Sequence, residues 1–309
     1  MRGRPYRLFR SPADQHSQPC SPYYQIQGYY LVKGVGPIAE HANAESDRFR
    51  GGARTYAAYL DTPEGRLRSD LAFANVQEFL PRPLPERSLC ALDIGCGIGT
   101  MALRLASLGF HITLLDSSPQ MLELAGRAAE EAGASIATQE GDASQAANLF
   151  PGECFDVILC HNLLEFVDDP GGVLCAASRL MGEASLLSVL VRTQAGEVLK
   201  SAIQAGDLDG AESALSAEWG RESLFGGAVR LFQRENVNEM LRQVSLTVTA
   251  VRGVRVISDY LPPGISRETE YQRILALERK LGRRAEFAAV ARYAQFLVRR
   301  TAPAPEQQG

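Results

Sequence analysis

Short apolar runs alternate with segments of helical period between residues 89 and 191. Leu89 to Leu92 forms the first run and stops at Asp93. Glycines at 95, 97 and 99 follow, and a helical pattern then starts with Met101, Leu103 and Leu105. Phe110 to Leu115 is β-like and ends in Asp116. Ser118-Pro119 opens a helix through Leu122, Leu124 and Ala125 to Gly133, with Ser as N-cap and Pro at the first helical position. Ser135 to Thr138 predicts a short strand leading into Gly141-Asp142-Ala143. Phe155 to Cys160 is almost wholly apolar, as strands buried on both faces of a parallel sheet are. Leu174 to Met181 predicts a helix, and Leu186 to Val191 a further strand. Strands separated by helices of this length build βαβ units, so the expected fold is α/β, with a doubly wound, mostly parallel sheet.

In such sheets a ligand lies beyond the carboxyl ends of the strands, where the chain order reverses. The candidate residues fall at those ends. Glycine lacks a Cβ, so the 95–99 turn can reach φ > 0 and let a ligand lie against the backbone, while the next helix directs free N–H groups toward it. Asp116 closes the second strand, where a carboxylate accepts both hydroxyls of a ribose; the alternative is a helix N-cap before Ser117 and Ser118. Asp142 follows the third strand, placed to accept from an adenine amino group, against the alternative of a solvated loop acid. His161 ends the fourth strand, as a ligand contact or a packed core residue.

The spacing of Asp93, Gly95, Gly97 and Gly99, with Thr100 in the slot of a third dinucleotide-fingerprint glycine, resembles motif I of the class I S-adenosylmethionine-dependent methyltransferases. That resemblance implies a seven-stranded Rossmann-like sheet. Four segments bring the chain closer to one family, the tRNA 5-carboxymethoxyuridine methyltransferases. Thr62-Pro63-Glu64-Gly65-Arg66-Leu67-Arg68 resembles its T-x-x-G-x-L-R entry segment, whose last Arg touches the cofactor. Motif I and Asp116 match next. His161-x-x-Leu164-Glu165-Phe166-Val167-x-Asp169-Pro170 resembles H-x-x-L-E-W-V-x-D-P, and Gly253-Val254-Arg255-Val256-Ile257-Ser258-Asp259-Tyr260-Leu261 resembles G-V-R-V-x-x-D-Y-L. Leu277-Glu278 and Ala291-Arg292-Tyr293 fit the family's terminal helix and strand, and the likeness spans residues 46–300.

The resemblance implies S-adenosyl-L-methionine as cofactor, held by Arg68, Gly95, Cys96, Gly97, Asp116, Asp142, Ala143 and His161. It implies a carboxylate acceptor on the wobble uridine of tRNA, so the partner is the anticodon region. Arg255 and Tyr260 are the candidates for orienting that carboxylate, Arg because its planar fork suits one; the alternatives are a surface charge on an alternating strand and a packed strand end. A carboxylate is ionised at neutral pH and needs no general base, so no proton-transfer catalyst is expected. Positioning then supplies most of the rate, worth about 7–11 kcal/mol for well-oriented reactants. Two other classes stay open: a small-molecule methyltransferase and a cofactor-binding module without catalysis.

Charge modifies this picture. Family members carry a lysine-rich insert after the fifth strand, whereas residues 194–234 here read as a mildly acidic helical lid, with Trp219 packed back on the domain. No lysine lies between Lys200 and Lys280. The net charge is −4, but residues 221–309 hold 15 Lys and Arg against 9 Asp and Glu, a net of +6, leaving −10 for residues 1–220. A polyanion therefore finds its complement on the substrate side, although a cluster such as Arg279, Lys280, Arg283 and Arg284 also reads as a solvated face. Arg outnumbers Lys 29 to 3, so genomic composition contributes to the pattern. The six cysteines (20, 90, 96, 154, 160, 175) form no CxxC pair and read as free thiols in a reducing cytoplasm, neither disulfides nor metal ligands. No apolar run reaches the ~20 residues of a membrane span. Residues 1–45, with Arg2, Arg4, Arg7 and Arg10, read as a flexible arm; a transit peptide and a misassigned start are the alternatives, and Tyr29 to Val32 reads as a short strand. The tail 301–309 reads as disordered.

Overall fold

The computed structural model describes residues 52–81, 87–222, 224 and 226–301. The expected arm with its strand at Tyr29 to Val32, and the tail beyond Thr301, lie outside the described residues. Helix α1 occupies residues 52–60. It is followed by α2 (Pro63–Phe79), β1 (Leu89–Ile94), α3 (Thr100–Ala106), β2 (Phe110–Asp116), α4 (Pro119–Glu131) and β3 (Ile136–Glu140). Next come α5 (Ala146–Leu149), β4 (Phe155–His161), α6 (Pro170–Arg179) and β5 (Met181–Arg192). The remaining elements are α7 (Gln194–Leu199), α8 (Leu208–Ala214), β6 (Trp219–Arg221), β7 (Ala228–Arg230), α9 (Arg234–Gln243), β8 (Leu246–Val254), α10 (Tyr271–Gly282), α11 (Ala285–Ala288) and β9 (Tyr293–Arg300).

Seven strands form one sheet in the order β3-β2-β1-β4-β5-β9-β8. β1 to β5 pair in parallel, and β9 runs antiparallel to both its neighbours. The chain order reverses between β1 and β4, so the crevice opens beyond Ile94 and His161. The expected doubly wound, mostly parallel sheet is present.

Local chemistry explains the starts of the principal helices. Thr62-Pro63, Ser118-Pro119 and Asp169-Pro170 each place a capping oxygen before a proline already at helical φ. Those oxygens accept the N–H of Gly65 at 3.1 Å, Met121 at 3.4 Å and Gly172 at 2.9 Å. Apolar side chains pack on both faces of the sheet. One cluster includes Leu92, Ile94, Ile158, Leu174 and Phe296; the other holds Ala91, Leu105, Leu114, Leu159 and Leu297. Each buried leucine, isoleucine or phenylalanine among them contributes about 1.5–3 kcal/mol, which makes the strand ends rigid supports for what lies beyond them.

Three expectations need correction. The helix expected to reach Met181 stops at Arg179, because Met181 is already buried as the first residue of β5. The 194–234 insert is only half helical: α7, a π turn over Lys200–Gln204 and α8 lead into the β6–β7 hairpin. Trp219 does not pack back on the domain. In the hairpin register the inward positions are Gly220 and Val229, and Trp219 falls on the outer face, 49% exposed.

Candidate active site

A cleft of about 750 Å³ opens at the crossover, inside the range for a cofactor-sized ligand. Gly95, Gly97 and Gly99 hold φ of 67°, 53° and 74°. A Cβ on Gly95 would meet the Leu163 side chain at 2.7 Å, and one on Gly97 would meet Tyr56 at 3.1 Å. The turn is therefore a backbone cradle with no room for side chains. It is fastened to β2: the N–H groups of Gly95 and Cys96 donate to Leu115 O at 2.8 and 3.2 Å, and that of Gly97 donates to Asp116 Oδ2 at 2.9 Å. Asp116 Oδ1 accepts from the Ser118 N–H at 2.9 Å. Each carboxylate oxygen keeps one lone-pair site, enough for two vicinal hydroxyls. Burial raises the Asp116 carboxyl above its ordinary pKa, with the backbone N–H groups pulling the other way. Asp93 is buried at the end of β1, and desolvation with the nearby Asp116 pushes it up to about 8. Asp142 and Ala143 line the cleft beyond β3, with Asp142 Oδ1 accepting the Ser144 N–H at 2.7 Å.

His161 Nε2 lies 2.8 Å from Ser188 Oγ. Ser188 Oγ in turn accepts Gln295 Nε2 at 2.9 Å, and Gln295 Oε1 accepts Asn75 Nδ2 at 2.9 Å. Either His161 Nε2 or Ser188 Oγ can be the donor, since the hydroxyl oxygen keeps a second lone pair. His161 Nδ1 is buried and unpartnered, as is Glu165 Oε2. Burial, aided by the charge of Arg68, pushes His161 down to about 3, so it stays neutral and is a poor base.

The other end of the cleft is cationic. Arg68, Arg192, Lys200, Arg255 and Arg292 line it. Arg255 donates from Nε to Asp259 Oδ1 at 2.7 Å and from Nη1 to the Tyr59 hydroxyl at 3.0 Å. Glu197 is shared by Arg292 at 2.7 Å, Arg192 at 3.8 Å and Lys200 at 4.0 Å. Burial opposes Glu197 ionisation, but Arg292 and Arg192 override it and lower its pKa. Arg68 is buried among the rings of Tyr59, Tyr56 and Tyr293 at 5.0, 5.9 and 5.8 Å, and donates to the Tyr56 hydroxyl at 3.1 Å. It makes no ion pair among the described residues. Five cations line this end, with Asp259 and Glu197 paired to them and Glu165 and Glu222 also near; burial raises the pKa of Glu165. An uncompensated buried charge is costly, and an anionic ligand compensates it.

Of the sequence candidates, Arg68, Gly95, Gly97, Asp116, Asp142, Ala143, His161 and Arg255 line this one cleft. Cys96 lines a small adjoining cavity. Arg255 is neither a surface charge nor a strand residue: β8 ends at Val254, and Arg255 is 8% exposed at φ 59°. Tyr260 is displaced from the expected role. It closes a short 3-10 turn, lies outside the cleft lining, and its hydroxyl donates to Gly196 O at 3.4 Å. Tyr59 and Tyr293 stand beside Arg255 in its place, and the sequence reading assigned them no role.

Residues 92–188 match a family model described as a methyltransferase domain. Over 247 residues the chain is 27% identical to tRNA 5-carboxymethoxyuridine methyltransferase of Escherichia coli K12, covering 77% of this chain and 90% of the relative. The chain is a class I S-adenosylmethionine-dependent methyltransferase. The methyltransferase also shares 38% identity with ubiquinone biosynthesis O-methyltransferase of Colwellia psychrerythraea, but over 96 residues, 31% of this chain and 39% of that one. Its fold resembles magnesium protoporphyrin IX methyltransferase of Synechocystis PCC 6803, solved with bound S-adenosylhomocysteine: the TM-score is 0.55 at 12% identity, over 84% of this chain and all of that one. The cofactor is S-adenosyl-L-methionine, and the side-chain-free cradle with Asp116 beside it fits an adenosyl group. Among the described residues no helix is long and apolar enough to cross a membrane, and no group of three or more His, Cys, Asp or Glu is placed to hold a metal ion.

Proposed function

We propose that this methyltransferase esterifies a carboxylate, that of a 5-carboxymethoxyuridine-type wobble base in the anticodon region of tRNA, as a cytoplasmic enzyme. The observation that carries the reading is the group of buried arginines at the acceptor end of the cleft, Arg192, Arg255 and Arg292, with Lys200 beside them. The relative named for that activity supports it, being similar over nearly its whole length. The ubiquinone-type relative matches over only 96 residues, 31% of this chain and 39% of its own length.

Bound S-adenosylmethionine supplies a methyl group activated on its sulfonium. The chain's task is to hold the acceptor in line and exclude water. Arg68, Asp116, Asp142 and the 95–97 backbone hold the cofactor in this reading, with Ala143, Cys96 and His161 completing its wall. Arg255 has two guanidinium N–H groups left after Asp259 and Tyr59, and these meet the acceptor carboxylate. An ionised carboxylate attacks without losing a proton, which suits a cleft whose histidine is pushed down to about 3.

Labelled S-adenosylmethionine offered with tRNA from cells lacking the ester tests the reading. The expected product is labelled tRNA that releases methanol in mild base. Label confined to small metabolites would move the assignment to a small-molecule methyltransferase, and binding without transfer to a non-catalytic module.

The site also predicts a pH profile. Burial raises phenols, but Arg255, Arg68, Arg192 and Arg292 together bring Tyr293 down to about 8. Below that pH the phenol is neutral. Above it a phenolate enters the cationic cluster and competes with the acceptor. kcat/KM for the acceptor is expected to fall about tenfold per pH unit above pH 8, and Tyr293→Phe to remove that limb. An identical limb in the variant would rule out Tyr293 as its source.

A further inference from the structure

The β6–β7 hairpin pairs Trp219 with Arg230, Gly220 with Val229 and Arg221 with Ala228. Alternation gives it two unlike faces. Inward, Val229 is 1% exposed and lines the cleft, and Gly220 lies against Leu231. Outward stand Trp219, Arg221 and Arg230, with the Arg230 guanidinium 4.9 Å above the indole. The ring is nonetheless 49% exposed, so its remaining face is open.

This surface is held firmly. The Arg230 N–H donates to Glu165 O at 3.1 Å, the Leu231 N–H to Glu218 O at 2.8 Å, and Arg192 Nη1 to Arg221 O at 3.4 Å. Among the described residues its arginines are not spent on acids, and Arg230 Nη2 donates only to a backbone oxygen, that of Asp168, at 3.4 Å. Many surface arginines are spent on acids, among them Arg66 on Glu268, Arg127 on Glu123, Arg242 on Glu239 and Arg273 on Glu270. Arg221 and Arg230 form no ion pair among the described residues. An indole flanked by two cations with no acid partner among the described residues offers a π-face for a base and charge for the phosphates on either side.

We infer that the outer face of the hairpin stacks an unpaired nucleobase of the RNA adjoining the acceptor nucleotide. The inference rests on the tRNA reading. A nucleotide reaching the cleft passes the hairpin's inner wall, so its neighbour in a single strand arrives at the rim, where Trp219 stands. The acidic side chains elsewhere on the insert make it a poor seat for a duplex backbone, whereas a stacked base needs only the ring and its two arginines.

Trp219 is the sole tryptophan of the chain, so its fluorescence reports this contact directly. The full-length protein with S-adenosylhomocysteine is titrated with a single-stranded oligoribonucleotide of anticodon-loop sequence, and separately with an RNA duplex. A saturable quench by the single strand is expected, with the duplex much weaker. Trp219→Ala should weaken binding of the labelled oligonucleotide about 10- to 100-fold and raise KM for tRNA in proportion while kcat holds, with Trp219→Phe restoring most of both. No saturable quench, or an emission change that follows protein concentration without RNA because a second copy covers the ring, overturns the inference. If tRNA is methylated but the quench is absent, only the stacking inference falls. If the quench saturates but tRNA accepts no methyl group, stacking stands and the acceptor reading falls.

Discussion

Arg255→Met combined with Asp259→Asn is expected to lower kcat/KM for the acceptor about 10²–10³-fold and leave the affinity for S-adenosylhomocysteine within about twofold. Truncating one partner of a buried, hydrogen-bonded charge pair costs about 2–5 kcal/mol, and the middle of that span corresponds to the stated loss. The second substitution is needed because Arg255 and Asp259 form a buried pair with a 2.5 Å contact. Removing the arginine alone would strand Asp259, which is 7% exposed, at about 3–5 kcal/mol of fold stability. The double variant keeps the volume roughly constant and leaves no orphaned charge. Arg255→Lys keeps the charge but loses the planar fork, so it should fall between the two. Steady-state kinetics with tRNA, and calorimetry with S-adenosylhomocysteine, separate acceptor from cofactor effects. A double variant that retains more than a tenth of wild-type kcat/KM would show that the acceptor binds elsewhere in the cleft.

The asymmetry between the two halves of the site explains what could be read before any coordinates. The cofactor half is local. Asp93, Gly95, Gly97 and Asp116 are fixed by a strand, a turn and the next strand, each with its own short-range pattern, and the N–H groups of Gly95 and Cys96 on Leu115 O, with that of Gly97 on the Asp116 carboxylate, close the unit. The acceptor half is assembled by topology. β9 inserts antiparallel between β5 and β8, and its register sets Tyr293 opposite both Arg192 and Val254. That pairing joins residues 192, 254 and 293, separations no periodicity reports. Glu278 completes the arrangement from α10: wholly buried, it accepts the N–H groups of Val256, Ile257 and Ser258 at 2.7 to 2.9 Å and so pins the segment that follows Arg255. Resemblance pointed to Leu277-Glu278 and Arg292-Tyr293 but could not say what they touch. Tyr260 lies away from the expected role because β8 stops at Val254 and the turn that follows carries its hydroxyl to Gly196 O. The hairpin went unseen because strands of three residues are too short for a period of two to register.

Asp116→Ala is expected to weaken S-adenosylhomocysteine binding by about 10²–10³-fold and to lower turnover at limiting cofactor in parallel. Hydrogen bonds to a charged acceptor contribute about 1.5–3 kcal/mol each, and this carboxylate has one free site per oxygen once the Gly97 and Ser118 N–H groups are satisfied. Part of the loss is indirect. The alanine leaves both N–H groups without their acceptor, and Gly97, at φ 53°, then has nothing fastening it to β2. Asp116→Asn separates the two contributions. Its remaining carbonyl oxygen still accepts one N–H and supports the turn, while its amide offers a donor where a hydroxyl proton should arrive. If the turn dominated, the asparagine variant would bind nearly as well as wild type. A direct grip on the ribose predicts that it loses most of the affinity lost by alanine. Calorimetric affinities within about threefold of wild type for both variants would place the cofactor sugar away from β2 and remove the basis for this half of the site.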